Sequence, residues 1–388
     1  GHDQSHNNIP ETLGRNYLKT CDSNAIIINN SDNITSALWY LQAVKGYRRD
    51  VNVVNTGLLN YDRHLNELRK GGGGRKPLPF AYQPERYAGN RRTFATYKQE
   101  AGVVDKKQHY SLSTILNFIG KPDQNTKVQV QTGQEINFYP TKHWHLPPPA
   151  DKDLNEPLNF ELKTNILSKA ELMVFDLIRA NNWERPVYFA KMSNSVVFKS
   201  LKPFLEQEGI LYRLTPEKHQ DWYPIYVNSK AMYPNLMKNY SWGNLNKTNV
   251  HISPGLRKLS NRFRDTYISL GNALLKQDKL DSAIKVMDTG LAVMPAKNIT
   301  RDYQWVPYVQ IYYRANAAGK GKRLGRKKLD AIKQSLTYYA HLPKTYQTHY
   351  SSKVQKRVNH LKIMHRLAKE AEQQQFKTRI KVLLNSYQ

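Results

Sequence analysis

Hydrophobic and polar positions along this chain follow two different periods, and the change from one to the other divides it. Ala25–Asn29 is a continuous β-branched run, the pattern of a strand covered on both faces. Leu38, Trp39, Leu41 and Val44 then recur along one side of a helix over Ile34–Val44, stopped by Gly46. Val51–Asn55 is a second strand, so strand, helix and strand form a βαβ unit with a right-handed crossover and a parallel sheet. A helix over Leu58–Lys70 closes on the four glycines Gly71–Gly74, and residues 75–110 lack a clear period and read as an irregular excursion. Ser113–Ile119 is helical, and Lys127–Tyr139 alternates across a Thr132-Gly133 turn as a hairpin. Ser168 with Glu171 three residues on is a capping box for a helix to Ala180. Pro186–Ala190 and Gly209–Leu214 are strands, and Pro203–Gln207 reads as a short helix with proline in its first turn.

After about residue 255 the period becomes helical throughout. Tyr267, Leu270, Gly271, Leu274, Ala283, Met287, Gly290 and Pro295 have the order of large and small side chains of one tetratricopeptide-like repeat. Gly271 and Ala283 are placed where two helices cross closely, and Pro295 ends the second. Further helices are predicted near 303–318, 326–340 and 351–374. The expected fold is an α/β domain with a mainly parallel sheet over residues 1–215 and a connector over 216–254. An all-α tetratricopeptide-like domain over 255–388 completes it.

Charge adds a second asymmetry. The 388 residues carry 59 Lys and Arg against 31 Asp and Glu, a net +28. From Arg301 onward there are 19 basic residues and four acids, an excess of +15. Such a field favours anionic lipid or acidic glycan partners, although a basic surface also simply aids solubility. Lys320, Lys322, Arg323, Arg326, Lys327 and Lys328 form the densest patch, expected as an exposed loop between two helices and as the anion or membrane contact. Without a basic stripe interleaved with stacking aromatics, nucleic acid is disfavoured. Cys21 is the single cysteine, which excludes an internal disulfide and a cysteine-built zinc site. No run of ~18 apolar residues spans a membrane, and a start at Gly1 suggests a processed product or a fragment.

Four phrases in one order carry a family resemblance: "NAIIINNSDNITSALWYLQAVKGYRRDVNVVN", "SKAELMVFDLIRANNWERPVYFA", "FLEQEGILYRLTP" and "SWGNLN". With the repeat that follows, they resemble the C-terminal soluble region of Bacteroidota multi-span membrane proteins similar to protein O-mannosyltransferases. The resemblance runs from His2-Asp3 to about residue 340. It implies an upstream membrane domain as the sugar-transfer machine, and a soluble part at the periplasmic face of the inner membrane. The family's Gly-Asp-Asn-Asp turn after the first strand departs here: Ser31 and Ile34 replace the flanking glycine and second aspartate, leaving Asp32 and Asn33.

In a parallel α/β sheet ligands bind beyond the carboxyl ends of the strands, which points to Asp32, Asn33, Asn55 and Ser193 as a sugar- or phosphate-binding edge. The competing reading is that Asp32 and Asn33 cap the following helix. His143 and His145 lie on one side of an extended segment with no third ligand near, so no metal is assigned, and no cofactor is expected. A G-x-S-x-G elbow, a P-loop and a nucleophile–base spacing are all missing. The chain alone therefore reads as a non-catalytic accessory region that binds acceptor or partner proteins through its helical repeats. The alternatives are a free-standing scaffold subunit of an envelope assembly, or a polyanion-binding module.

Overall fold

The computed structural model describes residues 8–99, 104–105, 108–131, 133–150, 156–219, 225–247, 252–295 and 305–387. It divides into two compact units, Gly14–Ala231 and a second made of Gly1–Leu13 with Met232–Gln388. The division falls inside the first helix, α1 (Ile9–Thr20).

In the first unit, β1 (Ile26–Asn29), α2 (Asp32–Ala43) and β2 (Asn52–Asn55) are the βαβ element read from the sequence, with β1 and β2 parallel in register Ile26 to Asn52. A 3₁₀ turn over Thr56–Asn60 leads into α3 (Asp62–Lys70). Among the described residues of the excursion are α4 (Pro84–Tyr87), β3 (Phe94–Tyr97) and the start of β4 (Tyr110–Ser111), and α5 (Leu112–Gly120), β5 (Lys127–Gln129) and β6 (Glu135–Tyr139) follow it. The hairpin pairs β5 with β6 antiparallel, while Thr132 of its expected turn lies outside the described residues. Next come β7 (His143–Leu146), β8 (Leu158–Glu161), β9 (Ile166–Ser168) and α6 (Lys169–Asn181), the last opened by the complete Ser168/Glu171 capping box. The chain then re-enters the main sheet through β10 (Val187–Phe189), α7 (Val196–Ser200), β11 (Leu205–Gln207), β12 (Tyr212–Leu214) and β13 (Tyr226–Val227).

The main sheet runs β13-β11-β12-β10-β1-β2 and is mixed. Its β10–β1, β1–β2 and β11–β13 pairs are parallel, whereas β10–β12 and β11–β12 are antiparallel. The expected parallel arrangement is thus found in the β10-β1-β2 part, within a sheet that is mixed as a whole. Residues 205–207 correct one expectation: Pro203 sits in a 3₁₀ turn over Lys202–Phe204, and the helix expected over Pro203–Gln207 is instead the strand β11. Two smaller sheets, β5-β6-β3-β9 and β4-β7-β8, cover the excursion. One face of the main sheet, with Ile26, Ile28, Val54, Phe189 and Leu205, joins α5 and α6 in a core that includes Trp144, Phe160 and Phe175. Gly14 of α1 lies against α2, where a methyl group would meet Leu41 Cδ1 at 2.9 Å.

The second unit is helical: α8 (Ser229–Pro234) lies within the connector and straddles the division, and α9 (Pro254–Lys276), α10 (Leu280–Val293), α11 (Trp305–Arg314), α12 (Ala318–Ala340), α13 (Lys344–Glu370) and α14 (Gln374–Asn385) follow. The helix expected over 351–374 is the end of α13 and the start of α14, separated by Glu372 in the left-handed region. Tyr267, Leu270, Gly271, Leu274, Ala283 and Met287 are all buried between α9 and α10, and Pro295 follows the end of α10. The basic segment is corrected as well, since Lys320 to Lys328 lie inside α12 rather than in a loop. Gly321 and Gly325 are one turn apart on the buried side, against Tyr313 and Phe376 respectively.

Glycine packing in this unit gives an ordered prediction. A methyl group on Gly290 would meet Tyr308 Oη at 2.5 Å and the Tyr267 ring at 2.9 Å, whereas on Gly271 it would meet the mobile end of Met287 at 2.7 Å. Gly290→Ala is expected to lose about 1–3 kcal/mol and Gly271→Ala less. Gly319→Ala, with open space around it, is expected to gain about 0.4–1 kcal/mol. Urea unfolding of the three variants checks the order.

Candidate functional site

The edge singled out from sequence is a closed polar network. Asn29 Oδ1 accepts from the Ser31 amide and from Thr35 Oγ1, both at 3.0 Å. Asn55 Nδ2 donates to Asp32 Oδ1 at 3.0 Å and to Thr35 Oγ1 at 3.1 Å, while Asn55 Oδ1 accepts from the Gly57 amide. The cap position of α2 belongs to Ser31, whose side chain makes no capping bond. Asp32 is the first helical residue, Asn33 is exposed beside it, and Ser193 is exposed in the turn after β10. The capping alternative for Asp32 and Asn33 thus gives way to a strand-to-helix tie from Asn55 to Asp32. His143 and His145 lie on β7 with Trp144 buried on its opposite face, and His109 packs edge-on against His143 at 5.2 Å. Among the described residues no group of three His, Cys, Asp or Glu side chains is arranged to hold a metal ion.

A cavity of about 480 Å³ lies at the other end of the sheet, by the start of β10. Its walls come from the end of α6, the Asn182–Pro186 turn and the strands β11 and β12. The turn is tightly wound, with Asn182 at φ 40° and Trp183 at φ 66°, a conformation costly for a bulky side chain. Trp183 Nε1 donates to Pro147 O at 2.9 Å, which fixes the ring at the rim. Asn181 is 2% exposed; its Nδ2 donates to Arg185 O at 2.9 Å, and its Oδ1 has no partner among the described residues. The amide orientation is fixed by that donor bond, so an acceptor is left for an incoming donor.

Two carboxylates complete the wall, with environments that push them apart. Glu206 pairs across the sheet with Arg213, and the same row reaches Tyr188. Glu206 lies 3.2 Å from His219 Nε2 and accepts from Asn228 Nδ2 at 2.9 Å. The His219 bond is the main reason its carboxyl titrates below the usual range. Glu208, two residues on, is pushed up by burial, with Arg213 at 3.7 Å and the Tyr188 hydroxyl donating at 3.2 Å only partly offsetting it. The cavity therefore offers an ionised acceptor, a carboxyl favouring its protonated donor form, the Asn181 oxygen and an aromatic rim. This set suits hydrogen bonding to a polar, hydroxyl-bearing ligand. Cys21, the remaining nucleophile of note, is buried and its thiol is raised well above its usual range by that burial, which makes it inert.

Sequence reasoning did not find this site. Glu206 fell within a segment read as helix, whereas it stands on β11 with Glu208 one residue beyond the end of that strand.

With this geometry in place, comparison with known families is informative. A family model described as TMEM260-associated domain 2 matches residues 10–231. The chain belongs to that family. The match covers β1 through β13, and hence the cavity and the polar edge. It agrees with the resemblance to mannosyltransferase-like membrane proteins at the level of the family. No curated protein and no solved structure matches the chain. No helix among the described residues is long and apolar enough to cross a membrane.

Two measurements test these assignments. Asn55→Ala removes three bonds from a residue 2% exposed and is expected to cost about 1–3 kcal/mol. Asn33→Ala, on an exposed side chain, should change urea stability by less than about 0.5 kcal/mol. For the carboxylates the sign differs. Glu208 titrates high in the fold, so its stabilisation is present at low pH and lost as pH rises past the ordinary glutamate range. The melting temperature of Glu208→Gln relative to the parent chain should therefore rise between about pH 4 and pH 8. Glu206 titrates low, so Glu206→Gln should be most costly at neutral pH, with the difference shrinking on acidification.

Proposed function

We propose that this chain is the non-catalytic accessory region of a membrane protein related to glycosyltransferases, acting at the periplasmic face of the inner membrane. The observation that carries the reading is the family match over residues 10–231. In this reading the upstream membrane domain performs sugar transfer, and the α/β unit presents its carboxylate cavity to a hydroxyl-bearing part of the acceptor. The tetratricopeptide-like helices dock the partner protein. The small-residue positions Gly271 and Ala283 at the α9–α10 crossing support that view of the helices. Glu206 and Glu208, each already held by partners of its own, support a binding role for the cavity.

The test separates binding from transfer. The isolated chain, given a lipid-linked sugar donor and acceptor peptide, is expected to transfer nothing. The whole protein carrying Asn181→Ala is expected to keep transfer to a short unstructured peptide. It should lose at least half of the glycan occupancy on folded acceptor proteins, read by mass spectrometry. Transfer by the isolated chain, or unchanged occupancy on folded acceptors, refutes the proposal.

A further inference from the structure

We propose that a second cavity, between α2, α3 and the Gly71–Gly74 turn, is a binding site for a small hydroxylated anion of the sugar-phosphate type. The site stands on its own geometry and holds whether or not the accessory reading is correct.

The cavity measures about 520 Å³, within the range of about 300–1,000 Å³ usual for small-ligand sites. Three of its lining residues each hold a buried polar atom with no partner among the described residues: Trp39 Nε1, Gln42 Oε1 and His64 Nε2. Gln42 is decisive. The residue is 4% exposed, and its Nε2 donates to Arg48 O at 2.9 Å and Val51 O at 2.7 Å. Those two carbonyls fix the amide orientation, so Oε1 is an acceptor left without a protein partner in a residue that lines the cavity. Trp39, three residues earlier on the same helix, supplies an N–H that can only donate. Burial lowers the titration of His64 below its usual range, so at neutral pH its ring is uncharged.

A buried acceptor and a buried donor left open in one cavity cost free energy unless one ligand satisfies both. A hydroxyl group donates and accepts at once, so neighbouring hydroxyls pair with Gln42 Oε1 and Trp39 Nε1 together. The rim has the opposite character. Arg49 and Arg75 line it, with Glu67 the one carboxylate among the lining residues, and Glu67 is engaged by Arg63 at 3.1 Å. The excess positive charge selects a ligand whose outer end is an anion.

The glycine run shapes the mouth. A side chain on Gly71 would meet Arg75 O and Pro77 N at 2.7 Å each, so that position requires glycine. Gly72 and Gly73 have open space where a side chain would stand, which leaves the backbone by the rim accessible. Trp39 and His64 lie with ring centres 6.0 Å apart at 50°, forming an apolar corner for the carbon face of the ligand.

Titration calorimetry on the full chain with glucose 1-phosphate, glucose and inorganic phosphate tests the proposal. Glucose 1-phosphate is expected to bind saturably, and each half alone at least about tenfold more weakly. Trp39→Phe keeps an aromatic side chain but removes the N–H donor together with the pyrrole half of the indole, and Arg75→Gln removes a rim charge outside the core. Each is expected to weaken glucose 1-phosphate binding about three- to tenfold with an unchanged melting temperature. Absence of saturable heat up to about 10 mM, where even millimolar binding would register, overturns the proposal. So does equal affinity for phosphate alone, or full affinity in Arg75→Gln.

Discussion

The α/β unit depends on one buried cation. Arg185 is 7% exposed, and its guanidinium reaches Asn24 O at 2.8 Å, Ala25 O at 3.4 Å, Pro77 O at 3.5 Å and Asn52 Oδ1 at 2.6 Å. Asn24, Ala25 and Asn52 stand at the amino ends of β1 and β2, Pro77 lies beyond the Gly71–Gly74 turn, and Arg185 itself precedes β10, so one side chain ties three neighbouring strands. Burying a positive charge costs several kcal/mol unless its donors are satisfied. Here carbonyl and amide oxygens satisfy them without any carboxylate in contact. A lysine could not replace it, because a single ammonium lacks the planar fork that reaches four acceptors in different directions. Desolvation accordingly pulls the guanidinium below its usual titration range, but it stays charged at any physiological pH.

The clamp also explains where open space is found. Arg185 lines the carboxylate cavity, and its partner Asn52 lines the cavity under Trp39 and His64. Both cavities therefore flank the amino ends of the parallel strands. The usual rule places ligands at the carboxyl ends. In this unit that end is filled by side chains of its own, since Asn29, Thr35, Asn55 and Asp32 satisfy one another. The antiparallel return of β11 and β12 supplies Glu206, Glu208 and Arg213, which a purely parallel sheet would not bring beside the start of β10.

Local signals in the sequence were readable where one short segment decides the structure. The β-branched runs of β1 and β2, the Ser168/Glu171 capping box and the spacing from Tyr267 to Met287 each determine an element without help from distant residues. Failures came where distant packing overrides a local cue. Pro203 looks like a helix start, yet pairing with β12 draws residues 205–207 into the sheet. Glycines 321 and 325 look like loop residues, yet Phe376 and Tyr313 fill the space their missing side chains leave. Neither cavity could be inferred, because Trp39 and Gln42 meet His64 only after α2 and α3 pack, and nothing periodic marks that meeting.

The basic helix α12 shows how packing and charge are reconciled in the second unit. Like charges one turn apart, such as Arg323 and Lys327, each cost a few tenths of a kcal/mol. The opposite stripe of Gly321, Gly325, Leu329, Ile332 and Leu336 is buried, and burying a leucine or isoleucine is worth about 1.5–3 kcal/mol. Apolar burial therefore outweighs the repulsion, and the helix forms in spite of its charge. Anions already present relieve part of that repulsion: Lys320 meets Asp288 of α10, and Arg379 of α14 lies 3.6 Å from Asp330. Arg323 and Lys327 are exposed on the outer side of the helix. An anionic partner would therefore meet charges in fixed positions and would not first have to order a loop to engage them.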